Sequence, residues 1–143
     1  MTAAAVPGRS PRRALVAGAS LLALATVIGA LGTHLLKARL GPDRYAILQT
    51  AVLYQLVNAL GLLTLGLLQA RGRSSGNSSD RGLRIAADLV LGGVLLFCGS
   101  LYALLGGAPR ALGALTPLGG VALIAGWCVA AIALWRASDP PAP

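Results

Sequence analysis

Few residue types able to do chemistry occur in this chain, and each stands alone. The one histidine, His34, closes the apolar stretch GALGTHLLK at residues 29–37. A metal or bis-imidazole haem site needs further ligands, and no second histidine exists to supply one. Cys98 and Cys128 each sit inside an apolar run without ligand spacing, so they are expected as small buried hydrophobes. Glutamate is absent, and the acids are Asp43, Asp80, Asp88 and Asp139. No serine or threonine has a histidine placed beside it to act as base, and no phosphate-cradling glycine loop is present. His34 is therefore expected at a head-group boundary, reachable by water, because Lys37, Arg39, Asp43 and Arg44 follow it closely. The residues indicate no enzyme, no cofactor and no metal.

The polar groups that remain lie within apolar segments. Thr50, Tyr54, Asn58, Gly61 and Thr64 share about a third of a helix circumference. Asn58 falls near mid-membrane, where an amide facing lipid is costly, so this stripe is expected to face other helices. Its two readings are interhelical hydrogen bonding and the lining of a ligand or ion pathway, the first being favoured. Asp88 shares a face with Arg84, Gly92, Gly99 and Tyr102, and the spacing of four to Arg84 suits a local ion pair.

The elements that position these groups follow from composition. Of the 143 residues 56% are hydrophobic and 11% charged, where a soluble domain carries roughly a quarter charged. Four runs, Ala14–Leu36, Ala46–Leu68, Leu83–Leu105 and Ala111–Trp135, are each long enough for about 30 Å of hydrocarbon. Only helices satisfy their own backbone in lipid without closing a barrel, and no strand alternation is visible. The expected fold is all-α, a four-helix transmembrane bundle over residues 14–136. A short basic tail precedes it at 1–13, and a disordered tail follows at 137–143. The first run has a signal-peptide-like start, SPRRALVAGASLLALA, but continues past Ala25 to Leu36, too far for a typical h-region of about 7–15 residues.

The net charge of +8 is spread between the runs rather than gathered in one patch, which excludes nucleic acid as the expected partner. Eight Lys and Arg fall on the side of the termini and the second loop, four on the other, so the positive-inside rule predicts both termini in the cytoplasm. The stretch QARGRSSGNSSDRG predicts a flexible cytoplasmic connector, on which the sequon-like Asn77-Ser78-Ser79 is a chance match. Thr116-Pro117 predicts either the start of the fourth helix or a kink within it.

Small residues recur at helical spacing, and in lipid they mark close helix contact. They are Gly18, Ala25, Gly29 and Gly32 on the first run, Gly92, Gly99 and Gly106 on the third, and Gly119, Ala122, Gly126, Ala130 and Ala133 on the fourth. Leu123 is placed on the lipid side of the fourth.

Four elements, one per run, carry a resemblance. They are GALGTHLL (with Gly29, Ala30, Gly32 and His34), TAVLYQLVNAL (Thr50, Ala51, Tyr54, Gln55), FCGSLY (Gly99, Ser100, Tyr102) and TPLGGVALIAGW (Thr116, Pro117, Gly119, Gly120, Gly126, Trp127). In this order the chain, from about residue 20 to 135, resembles the small four-helix membrane proteins of domain-of-unknown-function family 423, the YgdD and transmembrane protein 256 type. Thr33 replaces that family's usual alanine, Leu35 its usual glycine, and Asn58 stands where it has a second histidine, so a two-histidine site is lost here. The resemblance implies no activity, but it makes His34, Tyr54, Gln55, Ser100 and Thr116 candidates for a polar site, beside Asn58 from the stripe. The expected function is helix packing or partner or lipid binding in the bacterial cytoplasmic membrane, with the lipid bilayer, other membrane proteins or further copies of the chain as partners. The alternative is a small transporter or channel with a pathway along the second helix.

Overall fold

The computed structural model describes residues 9–72 and 78–138. Helix α1, Arg9–Leu31, runs through a π-helical turn, Gly32–Leu36, into α2, Lys37–Gly72. Then come α3, Ser78–Leu105, a 3-10 turn, Arg110–Ala114, and α4, Leu115–Ser138. No strand occurs among the described residues. Residues 1–8 of the basic tail, 139–143 of the tail expected to be disordered, and residues 73–77 of the second loop, with Asn77, lie outside the described residues.

Three continuous helical stretches are long and apolar enough to cross a membrane, Pro11–Arg71, Asp80–Leu105 and Arg110–Ala137, where four were expected. The reason is local. The first stretch has 61 residues, about 90 Å if straight, and it breaks at Gly41, whose φ of 69° and ψ of 166° suit glycine almost alone. Pro42, lacking an N–H, opens the returning arm where that N–H would have no partner. The two arms lie side by side and antiparallel. Rising positions on one meet falling positions on the other, with Leu15 against Gly66, Gly18 against Leu63, Gly29 against Val52 and Gly32 against Leu48.

A second antiparallel pair, α3 and α4, is packed the same way. Gly82 meets Ala133, Gly126 meets Val90, Gly93 meets Leu123, and Gly119 lies on the Phe97 backbone. Gly29, Gly32, Gly119 and Gly126 thus lie in close contacts, whereas a Cβ at Gly99 or Gly92 would meet nothing within 4 Å. The third-helix stripe is corrected from Gly92/Gly99 to Gly82/Gly93. One residue of helix is a 100° turn, and a one-residue error in phase moves a stripe from the partner to the outside. By the same logic Leu123, placed on the lipid side, is 5% exposed and belongs to the core.

Helix α2 is buried along one face in alternating three- and four-residue steps, Leu48, Ala51, Gln55, Asn58, Leu62, Leu65 and Gln69, and from this face Ala51, Gln55 and Gln69 make bonds to α3. The arrangement does not close on itself. Among the described residues α1 has no Cα within 8 Å of α4, nor α2 of α4. The expected connector shrinks, since α2 reaches Gly72 and α3 begins at Ser78, and Gln69 Nε2 donates to the Leu83 carbonyl at 3.0 Å, tying the two ends together.

Helix ends are satisfied locally. After α3 the Ala108 N–H donates to the Ala103 carbonyl and the Gly107 N–H to that of Leu104, a Schellman stop with Gly107 at φ 91°. Arg44 donates to the Leu105 carbonyl, a cation on a helix C-terminus. Helix α4 begins at Leu115, so Pro117 lies in its first turn, where it breaks no intrahelical bond. The basic segment up to residue 13 is helical from Arg9, and α4 extends to Ser138, past the expected boundary at 136.

Candidate functional site

The interior polar groups all lie where helices meet. Gln55 is 1% exposed and joins three helices, its Nε2 donating to the Leu21 carbonyl of α1 at 2.9 Å and its Oε1 accepting from Tyr102 Oη of α3 at 2.8 Å. One turn further, Asn58 Nδ2 donates to the Tyr54 carbonyl at 2.8 Å, and its Oδ1 accepts from Trp127 Nε1 of α4 at 2.9 Å. Ser100 Oγ donates to the Phe97 carbonyl at 2.9 Å, and Thr116 Oγ1 lies 2.6 Å from Ser100 Oγ, bridging α3 and α4. Cys98 is buried, its thiol directed at the Ala51 carbonyl at 3.4 Å. The Tyr54 ring stacks on Phe97 with centroids 4.8 Å apart.

The candidate residues therefore do not form one cluster. Gln55 with Tyr102, Asn58 with Trp127, and Ser100 with Thr116 are three separate bridges. His34 joins none of them. It is exposed within the π-helical turn, and its imidazole makes no hydrogen bond to any described residue. The second-helix stripe divides: Asn58 is buried, while Thr50 and Thr64 are exposed and return their hydroxyls to the Ala46 and Leu60 carbonyls. Asp88 pairs with Arg13 of α1 at 3.7 Å instead of Arg84; both side chains are largely exposed, so this contact contributes little. Tyr102 and Trp127 were legible only as members of sequence motifs, and Gln69 carried no signal, since it falls in a stretch with loop composition.

The hydrogen bonds these side chains make run to peptide carbonyls and to one another across the helices. Among the described residues no three His, Cys, Asp or Glu side chains are grouped as a metal site would require. Beside the Asn58–Trp127 bridge an apolar groove of about 740 Å³ opens between α2 and α4, with Phe97 at its base.

Long apolar helices joined through glycine contacts and amide bridges define a small helical membrane protein. The chain belongs to the family described as protein of unknown function (DUF423), whose model matches residues 28–120. It is similar to a UPF0382 membrane protein of Staphylococcus epidermidis, 39% identical over 119 residues, covering 83% of this chain and 92% of the relative. It is also similar to the UPF0382 membrane protein YwdK of Bacillus subtilis, 37% identical over 120 residues, covering 83% and 93%. No solved structure matches.

Proposed function

We propose that the chain is a four-span protein of the bacterial cytoplasmic membrane, both termini cytoplasmic, that holds an apolar partner, lipid or protein, against a helical frame and performs no reaction. Its relatives are bacterial and are named membrane proteins. Counting four spans treats the two arms on either side of Gly41 as separate crossings, since each has about 30 residues against the roughly 20 a span requires. The cation count of eight to four supports the orientation.

One observation carries the reading. The buried polar side chains that could line a pathway are engaged in bonds between or within helices, and what stays open to the surroundings is an apolar groove. In hydrocarbon such bonds hold helices together; a transport pathway instead needs polar groups free to bind a passing ion. The test is purification in mild detergent followed by mass spectrometry of retained lipids and proteins, with ion flux measured in vesicles. Stoichiometric retention of a lipid or membrane protein is expected. An ion flux abolished by Asn58→Leu would replace this reading with transport.

A further inference from the structure

Two cations stand over a second groove, between the start of α3 and the end of α4. Its floor is the close approach of Gly82 to Ala133. Arg81 and Ile85 flank it from α3, about one turn apart. Val129, Ile132 and Arg136 flank it from α4 at steps of three and four, which share one helix face. Gly82 lies opposite Ala133 and Val90 opposite Gly126, so the antiparallel register puts Arg81 level with Arg136 at one end. Ile85 and Ile132 come next, at matching depth, and Val129 lies furthest in. From Arg136 to Val129 is about 10 Å at 1.5 Å per residue. The groove has a volume of about 420 Å³, within the roughly 300–1,000 Å³ of small-ligand sites. Both arginines are exposed, and neither pairs with an acid among the described residues. Asp88, one turn beyond Ile85, is held by Arg13 of α1 instead.

We infer that this groove binds an anionic phospholipid of the cytoplasmic leaflet, its phosphate between Arg81 and Arg136 and one acyl chain over Ile85, Ile132 and Val129. The inference rests on the proposed reading that α3 and α4 cross the bilayer with this end in the cytoplasm. Charge complementarity names the head. Two guanidinium groups, one from each helix, border a single slot. Their forked donors match the oxygens of a phosphate, and basic pockets between spanning helices on the cytoplasmic side bind such head groups. Depth names the rest. Arg136 stands two residues before the end of α4, Leu115–Ser138, and Arg81 three after the start of α3, Ser78–Leu105. That is head-group level, while the isoleucines and Val129 reach hydrocarbon depth. The occupant must therefore be anionic at the mouth and apolar within two turns below it. A soluble phosphate compound lacks the apolar part. A second copy of this chain, docked by the same surface, would bring two more cations against the first two.

The double variant Arg81→Gln/Arg136→Gln removes both cations and keeps polar side chains. Arg71→Gln/Arg84→Gln is the control, equal in charge and at the same end but outside the groove. Native mass spectrometry from mild detergent, with dioleoylphosphatidylglycerol titrated in, should show one lipid bound to the unaltered chain. Dioleoylphosphatidylcholine, which carries a cation of its own, should bind about fivefold more weakly. With unchanged helical circular dichroism, the groove variant should lose about thirtyfold in affinity for the anionic lipid. The control should lose no more than about twofold, its charges being screened from the slot. Glycerophosphoglycerol, the same head without chains, should not displace the lipid even in large excess. Equal losses in the two double variants would overturn the inference, because net charge and not the slot would then attract lipid. Equal affinity for the two lipids would overturn it, as would displacement by the free head group. A protein retained in place of lipid, and lost in the groove variant, would overturn it in favour of an acidic partner segment. An apolar partner held without preference for the anionic lipid defeats the inference and leaves the proposed function standing. Ion flux abolished by Asn58→Leu replaces that function, while an arginine-dependent lipid still upholds the site.

Discussion

At the scale of single residues the interior amides carry the specificity of the structure. Gln55→Met removes the partner of both the Leu21 carbonyl and the Tyr102 hydroxyl. It is expected to cost about 1–3 kcal/mol, while Tyr102→Phe costs nearer 0.6 kcal/mol, the mean for a membrane hydrogen bond. The double variant should cost less than the two together, because the phenol orphaned by Gln55→Met is then gone. Unfolding in mixed detergent micelles measures all three, and strict additivity would show that the bond is absent. His34, exposed and unbonded, should tolerate His34→Gln with an unchanged thermal midpoint and no stoichiometric metal in either protein by elemental analysis. A metal lost with the imidazole would show that it is a ligand.

At the scale of elements, glycine contacts set how the helices pair. A Cβ at Gly126 would lie 2.8 Å from Val90 Cγ2 and 3.1 Å from its backbone nitrogen, so Gly126→Leu should destabilise by about 1–3 kcal/mol or more. Gly99→Leu, with open space around the glycine, should stay within about 0.5 kcal/mol. Equal melting temperatures for the two would refute the α3–α4 face described here. Gly41→Ala places a Cβ at φ 69°, ψ 166° and is expected to cost about 1–3 kcal/mol through the turn alone, detectable as a lowered midpoint with the helix content kept.

At the scale of the whole molecule, the backbones of the two antiparallel pairs approach through α2 and α3, with a smaller approach of α1 to α3, while the Trp127 side chain of α4 reaches Asn58 and Gly61 of α2. That open order leaves the α2–α4 groove. The Lys and Arg residues sort to the two ends: Arg12, Arg13, Arg71, Arg81, Arg84 and Arg136 at one, Lys37, Arg39, Arg44 and Arg110 at the other. Reporter fusions at both termini should therefore register cytoplasm. A C-terminus found outside would mean that the arms around Gly41 do not form two crossings.

The sequence by itself determined the solvent and the secondary structure. Long apolar runs add transfer free energy residue by residue along the chain, and lipid leaves the backbone little choice but helix. The motifs around His34, Tyr54, Ser100 and Pro117 also sufficed for the family. Only the tertiary structure decided which way each helix faces. In water a helix shows its buried side by contrast with a polar one; here the outward side is apolar too, so α4 carries almost no phase signal, and on α3 a row of glycines does not by itself mark the contact face. Hence Gly93 rather than Gly99 lies in the contact, Leu123 is core, and Asp88 pairs with Arg13. Gln69, in a stretch with the composition of a loop, is a buried clamp for the same reason: its bond reaches the Leu83 carbonyl fourteen residues away, a separation that local pattern does not encode.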